Sequence, residues 1–156
     1  MNAAVVVASN RAASGVYDDE TGPLLVDFLT DLGFETSAPA VVPDGEPVAT
    51  AIRAAVEAGA RVVLTTGGTG LTPTDLTPEV TRPMLDAEIP GLAEAIRAYG
   101  VSKGVPTAVL SRGLAGRIGT CLVVNLPGSK GGVKDAIAVL RHVLPHAVEQ
   151  VVGSDH

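Results

Sequence analysis

Apolar and polar positions along the chain repeat with two different periods. Ala3–Ala8 is an unbroken apolar run rich in Val, the pattern of a strand covered on both faces. A polar loop, Ser9 to Gly22, follows it. Leu24, Leu25, Phe28, Leu29 and Leu32 then fall on one helical face, opened by Pro23 and closed by Gly33. Phe34 to Val42 predicts a short, weaker strand. Pro47 opens a second helix, with Val48, Ile52, Ala55 and Val56 on one side and Gly59 as its stop. Arg61–Thr65 predicts a strand that runs directly into a Gly-rich loop. Thr77 and Pro78 suit the N-cap and first turn of another helix, whose spacing continues through Met84 and Leu85. The pattern breaks at Pro90-Gly91 and resumes with Leu92, Ile96 and Tyr99. Pro106–Ser111 and Thr120–Leu126 predict two further strands, paired as a hairpin across Arg112 to Gly119. A last helix carries Val133, Ile137, Leu140 and Leu144, and Pro145 predicts a kink or restart in it.

Strands alternating with helices, with no internal repeat and no linker, predict a single domain over residues 1–156. The expected fold class is α/β, a three-layer α/β/α sandwich on a mostly parallel sheet. In such sheets ligands sit beyond the carboxyl ends of the strands. Three polar loops follow strands here, after Ala8, after Thr65 and after Leu126, and their convergence predicts a small-molecule site.

Composition narrows the partners. The net charge is −6, from 11 Lys+Arg against 17 Asp+Glu, and aromatics are 3% of residues with no Trp. This argues against nucleic acid and anionic membrane surfaces, which need basic faces and, for single strands, stacking platforms. No apolar run approaches the ~20 residues of a bilayer span. Ala3–Ala8 has no basic residue before it and is too short for a signal-peptide core. Cys121 is the single cysteine, so no intramolecular disulfide is available and a cytoplasmic location is expected. His142 and His146 are four apart with Pro145 between them, which fits a solvated helix better than a metal site; His156 is terminal.

The sharpest block is TTGGTGLTPTDLTPE, Thr65 to Glu79. Consecutive glycines after a strand let backbone N–H groups approach an anion without obstruction. Thr66, Gly67, Gly68, Thr69 and Gly70 are thus either a phosphate or pterin cradle, with hydroxyls from Thr65, Thr66 and Thr69, or a tight turn that needs glycine. The block is neither a Walker A sequence nor GxGxxG. Asp75 either holds Mg²⁺ beside a triphosphate or closes an Asx-turn. Asp44, in Val42-Pro43-Asp44-Gly45, carries the same two readings. Pro127, Gly128, Ser129 and Lys130 lie between a strand and a helix, where exposed amides and a cation suit an anion as well as a plain connection. Ser111, Arg112 and Arg117 place guanidiniums in one loop pair, for phosphate or for solvent. Glu79 suits a first helical turn.

These residues resemble the molybdopterin adenylyltransferase family, the Mog/MoaB type of molybdenum-cofactor biosynthesis protein. The resemblance covers nearly the whole chain through VVPDGEPV (Val41–Val48), TTGGTGLTPTDLTPEVT (Thr65–Thr81), EIPGLAEAIR (Glu88–Arg97), LSRGLAGRIGT (Leu110–Thr120) and VVNLPGSKGGV (Val123–Val133). It implies a molybdopterin-binding, MogA-like sandwich, commonly a homotrimer. It also implies Mg²⁺-dependent transfer of AMP from ATP to the terminal phosphate of molybdopterin, with release of pyrophosphate. Asp44 and Asp75 match the family's two functional carboxylates, for catalysis and for Mg²⁺. Thr66–Gly70, Ser111 with Arg112, and Pro127–Lys130 match its substrate- and nucleotide-contacting segments. A hand-off to the molybdate-insertion enzyme follows from the same reading.

The chemistry is consistent with these residue types. Both reactants are anions, so the protein must screen repulsion and align them. The substrate phosphate is already ionised, so no Ser-His or Cys-His dyad is required. Two positions depart from the family pattern. Thr74 stands where many members carry Arg, and Lys130 follows Pro127-Gly128-Ser129 where a Pro is common. The alternatives are a non-catalytic molybdopterin carrier of the same fold and a nucleotide-sensing regulatory subunit.

Overall fold

The computed structural model describes residues 1–153; His156 lies outside the described residues. The strands are β1 (Asn2–Ala8), β2 (Glu35–Thr36), β3 (Ala40–Val42), β4 (Val62–Thr66), β5 (Ala87–Glu88), β6 (Ala115–Ile118) and β7 (Cys121–Leu126). The α-helices are α1 (Asn10–Ala13), α2 (Thr21–Asp31), α3 (Glu46–Glu57), α4 (Thr77–Thr81), α5 (Pro90–Ser102) and α6 (Lys130–Val151), with 3-10 turns at Arg82–Met84 and Pro106–Leu110.

One sheet runs β2-β1-β4-β7-β6-β5, with β3 also paired to β1. The centre is parallel, with Val5 opposite Leu64 and Leu64 opposite Val124, while β6 and β5 add antiparallel to β7. Period-2 alternation sends the strands' side chains to two cores. Val5, Val7, Val62, Leu64, Leu122 and Val124 pack under α2, α5 and α6. Val6, Ala8, Val63 and Val123 pack under α3, on Val48 and Ile52. This is the expected three-layer sandwich on a mostly parallel sheet.

Local readings differ at six places. Pro106–Ser111 is not a strand: Pro106 lacks a donor for a ladder, and Ala108 N and Ser111 N close i→i+3 bonds onto Val105 O (3.1 Å) and Ala108 O (3.2 Å). The partner of β7 is instead β6, inside the stretch expected to be a link. Gly116 disguises that strand, because an added Cβ there would lie 2.4 Å from Ala87 O of the neighbouring β5. Phe34–Val42 divides into β2 and β3 around Pro39. The helix expected to run through Met84 and Leu85 ends at Thr81, because Pro83 converts its continuation to a 3-10 turn. The loop after β1 contains α1, capped by Ser9 Oγ, which accepts from Ala12 N at 3.1 Å. Finally, α6 starts at Lys130 rather than near Val133, and Pro145 lies within it without a break. Pro145 and Arg141, four residues back, are both exposed, so water can satisfy the carbonyl that loses its donor.

Candidate functional site

The carboxyl ends of β1, β3, β4 and β7 stand side by side, and their loops converge as the sequence predicts. The β4 loop turns on Gly67 (φ +94°) and Gly68 (φ +70°), a region that only glycine enters freely. Space demands glycine as well. A Cβ at Gly67 would sit 2.3 Å from Ala8 O, and one at Gly68 would sit 2.2 Å from Thr77 Oγ1 and 2.9 Å from Asp44 Oδ1.

Side chains behind the loop lock it to the sheet. Thr66 Oγ1 donates to Pro127 O at 2.7 Å, and Thr77 Oγ1 donates to Gly67 O at 2.9 Å. Asn125 Nδ2 donates to Thr65 Oγ1 (3.0 Å) and Thr81 Oγ1 (3.2 Å), while its Oδ1 accepts from Leu114 N (3.1 Å). Thr65, Thr66 and Thr69 are buried. The hydroxyls of Thr65 and Thr66 therefore serve the frame, and the cradle surface is backbone. Thr69 Oγ1 accepts from Ser111 Oγ at 3.2 Å, which joins two of the expected segments.

Asp44 and Asp75 meet in one cleft of about 390 Å³, which Gly67, Gly68, Gly128 and Lys130 also line. Asp44 N donates to Asn10 Oδ1 at 2.9 Å, fixing the β3 loop against α1. Asp44 Oδ1 is buried and has no hydrogen-bond partner. Burial, and then the nearby charge of Asp75, push the Asp44 carboxyl above its ordinary value. Asp75 Oδ2 accepts from Thr72 N (2.9 Å) and Thr72 Oγ1 (2.8 Å). Its turn-forming role thus occupies one oxygen, while the residue also lines the cleft.

The cleft's far wall is the polar loop after Ala8, one of the three loops expected to converge. Arg11 and Tyr17 line it, with the guanidinium 5.2 Å from the ring centroid, and Asp18, Asp19 and Glu20 follow. Thr74 lines the same cleft as Lys130 and Arg11, so two cations stand where an Arg at 74 would otherwise be the source of charge.

Arg112 is placed differently from a free phosphate clamp. Its Nε donates to Gly70 O (2.8 Å), one terminal nitrogen to Asp75 O (2.9 Å) and the other to Glu79 Oε2 (2.8 Å). This bond to Arg112 holds the Glu79 carboxyl below its ordinary value. The guanidinium therefore braces the loop that carries Asp75. Arg97, on α5, does the same for the Ser111 loop, donating to Ser111 O (3.2 Å) and Gly113 O (3.1 Å). Arg117 pairs with Asp86 at 3.7 Å, away from the cleft. Cys121 is buried, and burial pushes its thiol up to about 11, so it is not a nucleophile at neutral pH. His142 and His146 are exposed on α6.

Two more hollows continue from the cleft around the Pro127–Ser129 loop. The first, about 410 Å³, shares Gly68, Asp75 and Gly128 with the cleft. The second, about 450 Å³, shares Thr107, Ser111, Pro127 and Ser129 with the first, and runs between α5 and α6. The three adjoin as a trough in which Asp75 lines the cleft and the first hollow but not the second.

Comparison with known proteins agrees with this geometry. The family of the probable molybdopterin binding domain matches residues 4–146, and the chain belongs to that family. The chain is 38% identical over 156 residues to a molybdenum cofactor biosynthesis bifunctional protein of Synechococcus elongatus, covering 99% of this chain and 48% of that one. It is 35% identical over 153 residues to a molybdopterin adenylyltransferase of Pyrococcus furiosus, covering 93% of this chain and 90% of that one. The solved Mog protein of molybdopterin biosynthesis from Mycobacterium ulcerans superposes with a TM-score of 0.91 at 52% identity, over 96% of this chain and 98% of that one. The chain thus spans about half the length of the bifunctional relatives it matches.

Proposed function

We propose that this member of the molybdopterin-binding family transfers AMP from ATP to the terminal phosphate of molybdopterin. The observation that carries the reading is the pair Asp44 and Asp75 in one cleft beside the Gly67-Gly68 backbone, with Asp44 Oδ1 buried and unpartnered. An oxygen of the pterin's phosphate attacks the α-phosphorus of ATP. The bond from that phosphorus to the bridging oxygen breaks, and its electron pair leaves with pyrophosphate. No proton has to be removed from the nucleophile.

The residues suit a hard cation. Asp44 and Asp75 would hold Mg²⁺, whose preference is for oxygen ligands shared with phosphates. Such a cation supplies charge neutralisation for the two anionic reactants. Asp44, whose carboxylate has no other partner for its buried oxygen, would be one of the residues that hold the cation. Lys130 and Arg11 attract the triphosphate into the cleft, and the Gly67-Gly68 backbone lets it approach closely. Arg112 holds the Asp75 loop at fixed distance through Gly70 O and Asp75 O, which orients the site rather than reacting in it.

The test is incubation with molybdopterin, ATP and Mg²⁺, with pyrophosphate measured and the pterin product weighed by mass spectrometry. Pyrophosphate release with a product heavier by one AMP supports the transfer. Molybdopterin binding without release supports the non-catalytic carrier instead. The reading extends to a homotrimer in the cytoplasm that hands its product to a molybdate-insertion enzyme. Exposed apolar residues at Val101, Val105, Val109 and Leu110 favour association with another surface.

A further inference from the structure

The end of the trough between α5 and α6 holds a carboxylate that the transfer chemistry does not use. Asp135, on the second turn of α6, lines the hollow of about 450 Å³ and is half-buried. Among the described residues it has no hydrogen bond or ion pair, although Lys134 and Lys103 line the same hollow. Its Oδ2 faces α5 at Gly100, where an added Cβ would lie 3.8 Å from it, beside the 3-10 turn that carries Ala108. Ile96, Val105 and Pro127 give the hollow apolar walls, and Gly131 and Gly132 add no side chains to the first turn of its α6 wall.

A half-buried carboxylate between apolar walls, with no protein partner, is open to a ligand that brings hydrogen-bond donors. Two ligand classes could supply them, a cation or a flat neutral ring with adjacent N–H donors. The three cations on the rim, Arg97, Lys103 and Lys134, repel the first. The second is the 2-amino-4-oxopyrimidine edge of a pterin, whose ring N–H and exocyclic amine lie side by side and match the two oxygens of a carboxylate.

We infer that Asp135 reads the aminopyrimidinone edge of the substrate's pterin ring and so determines which ring the trough accepts. The inference rests on the proposed molybdopterin reading and extends it to a specificity residue at the far end from the nucleotide. The ring lies between α5 and α6, its phosphate-bearing tail points along the Ser111–Ser129 hollow, and the tail ends beside Asp75. Asp135 touches the ring only and takes no part in the bond exchange.

The test compares the wild type with Asp135→Asn, Asp135→Leu and Asp135→Glu by molybdopterin titration, steady-state pyrophosphate release and melting temperature. Losing a charge-assisted bidentate contact lowers affinity by about 10- to 100-fold. The dissociation constant and KM for molybdopterin should rise by that factor in Asp135→Asn and at least as much in Asp135→Leu, with partial recovery in Asp135→Glu. The kcat at saturating pterin should stay within about threefold, and the KM for ATP and the melting temperature should not move. Unchanged molybdopterin affinity in the Asn and Leu variants overturns the inference while leaving the proposed function intact. Lowered stability together with a raised KM for ATP assigns Asp135 a structural role and also overturns it. A wild type that binds ATP but not molybdopterin removes both readings at once.

Discussion

Asp44 carries a conflict between stability and chemistry within one side chain. Its backbone is fixed by Asn10, its Oδ1 is buried without a partner, and Asp75 adds like charge. Because its folded pKa lies above the unfolded one, ionised Asp44 subtracts from stability at pH above the raised value. That penalty is relieved as pH falls through it. Asp44→Asn removes the charge, so at neutral pH the variant should melt at or slightly above the wild type, by at most about 1 kcal/mol. The advantage should shrink as pH is lowered toward the ordinary carboxylate range. Turnover should nevertheless fall about 10²-fold or more, near 3 kcal/mol of lost transition-state stabilisation. Melting curves against pH beside pyrophosphate release check both halves, and an Asn variant that melts well below the wild type at neutral pH counts against the account. Asp75→Asn keeps an oxygen to accept from Thr72, so it should fold within about 1 kcal/mol and lose turnover similarly. On the proposal that both residues serve one cation, the double variant should lose far less than the sum.

The two carboxylates were legible because each stands in a short glycine- and proline-marked motif. Asn10, Arg11, Arg97 and Asp135 were not legible. Asn10 and Arg11 lie in the polar loop after Ala8 and Arg97 closes the EIPGLAEAIR block, yet no spacing in those segments marks these residues individually, and only packing brings all four to the trough. Arg112 shows the opposite failure: its residue type suggested a phosphate ligand, while its neighbours in space give it three loop acceptors.

At the scale of elements, the β4 loop is where sequence pattern, backbone strain and site geometry coincide. Gly68→Ala must tolerate φ +70° and a Cβ 2.2 Å from Thr77 Oγ1 and 2.9 Å from Asp44 Oδ1. The conformational and steric strain should cost about 1–3 kcal/mol. Turnover should fall further than stability explains, because the added Cβ displaces Thr77 Oγ1 first and crowds the Asp44 oxygen as well. Chemical denaturation and pyrophosphate release on the same preparation separate the two losses; full activity in a folded Gly68→Ala protein would remove the loop from the site. Arg112→Lys should leave the fold within about 1 kcal/mol, since its ion pair with Glu79 is largely exposed. It should also raise amide exchange across residues 70–75, because an ammonium cannot hold three divergent acceptors. Elements that bury an uninterrupted apolar stripe, β1, α2, α3, β4 and β7, were readable from periodicity alone. The 3-10 turn at Pro106–Leu110 was not, because β-branched residues there suggested a strand while Pro106 and the i→i+3 bonds favoured a turn. Nor was β6, whose Gly116 serves the close passage of β5 rather than a turn.

For the molecule as a whole, the loops of the trough are direct continuations of core strands, so ligand binding should be felt as stability of the entire domain. Gly67 N donates to Leu126 O at 3.1 Å and Arg112 N to Thr69 O at 2.8 Å, linking the β4, β6 and β7 ends in one hydrogen-bonded unit. No residue lines both the Asp44 cleft and the Asp135 hollow. A nucleotide and a pterin can therefore be seated together, meeting only near Asp75. A ligand at about 100 times its dissociation constant adds about 2.7 kcal/mol, which is roughly 5–10 °C in a domain of this size. With Mg²⁺ present, α,β-methylene-ATP and molybdopterin should each raise the melting temperature by that order, and the two together should approach the sum. Removing the cation with EDTA should bring the joint shift well below the sum while sparing most of the pterin's own shift, because the two phosphates then face each other unscreened. Thermal melts with each ligand alone, both together, and both with chelator test this directly. If the pterin adds nothing once the nucleotide is bound, even with Mg²⁺, the two compete for one hollow. The arrangement of a nucleotide end, a reacting centre at Asp75 and a pterin end would then have to be abandoned.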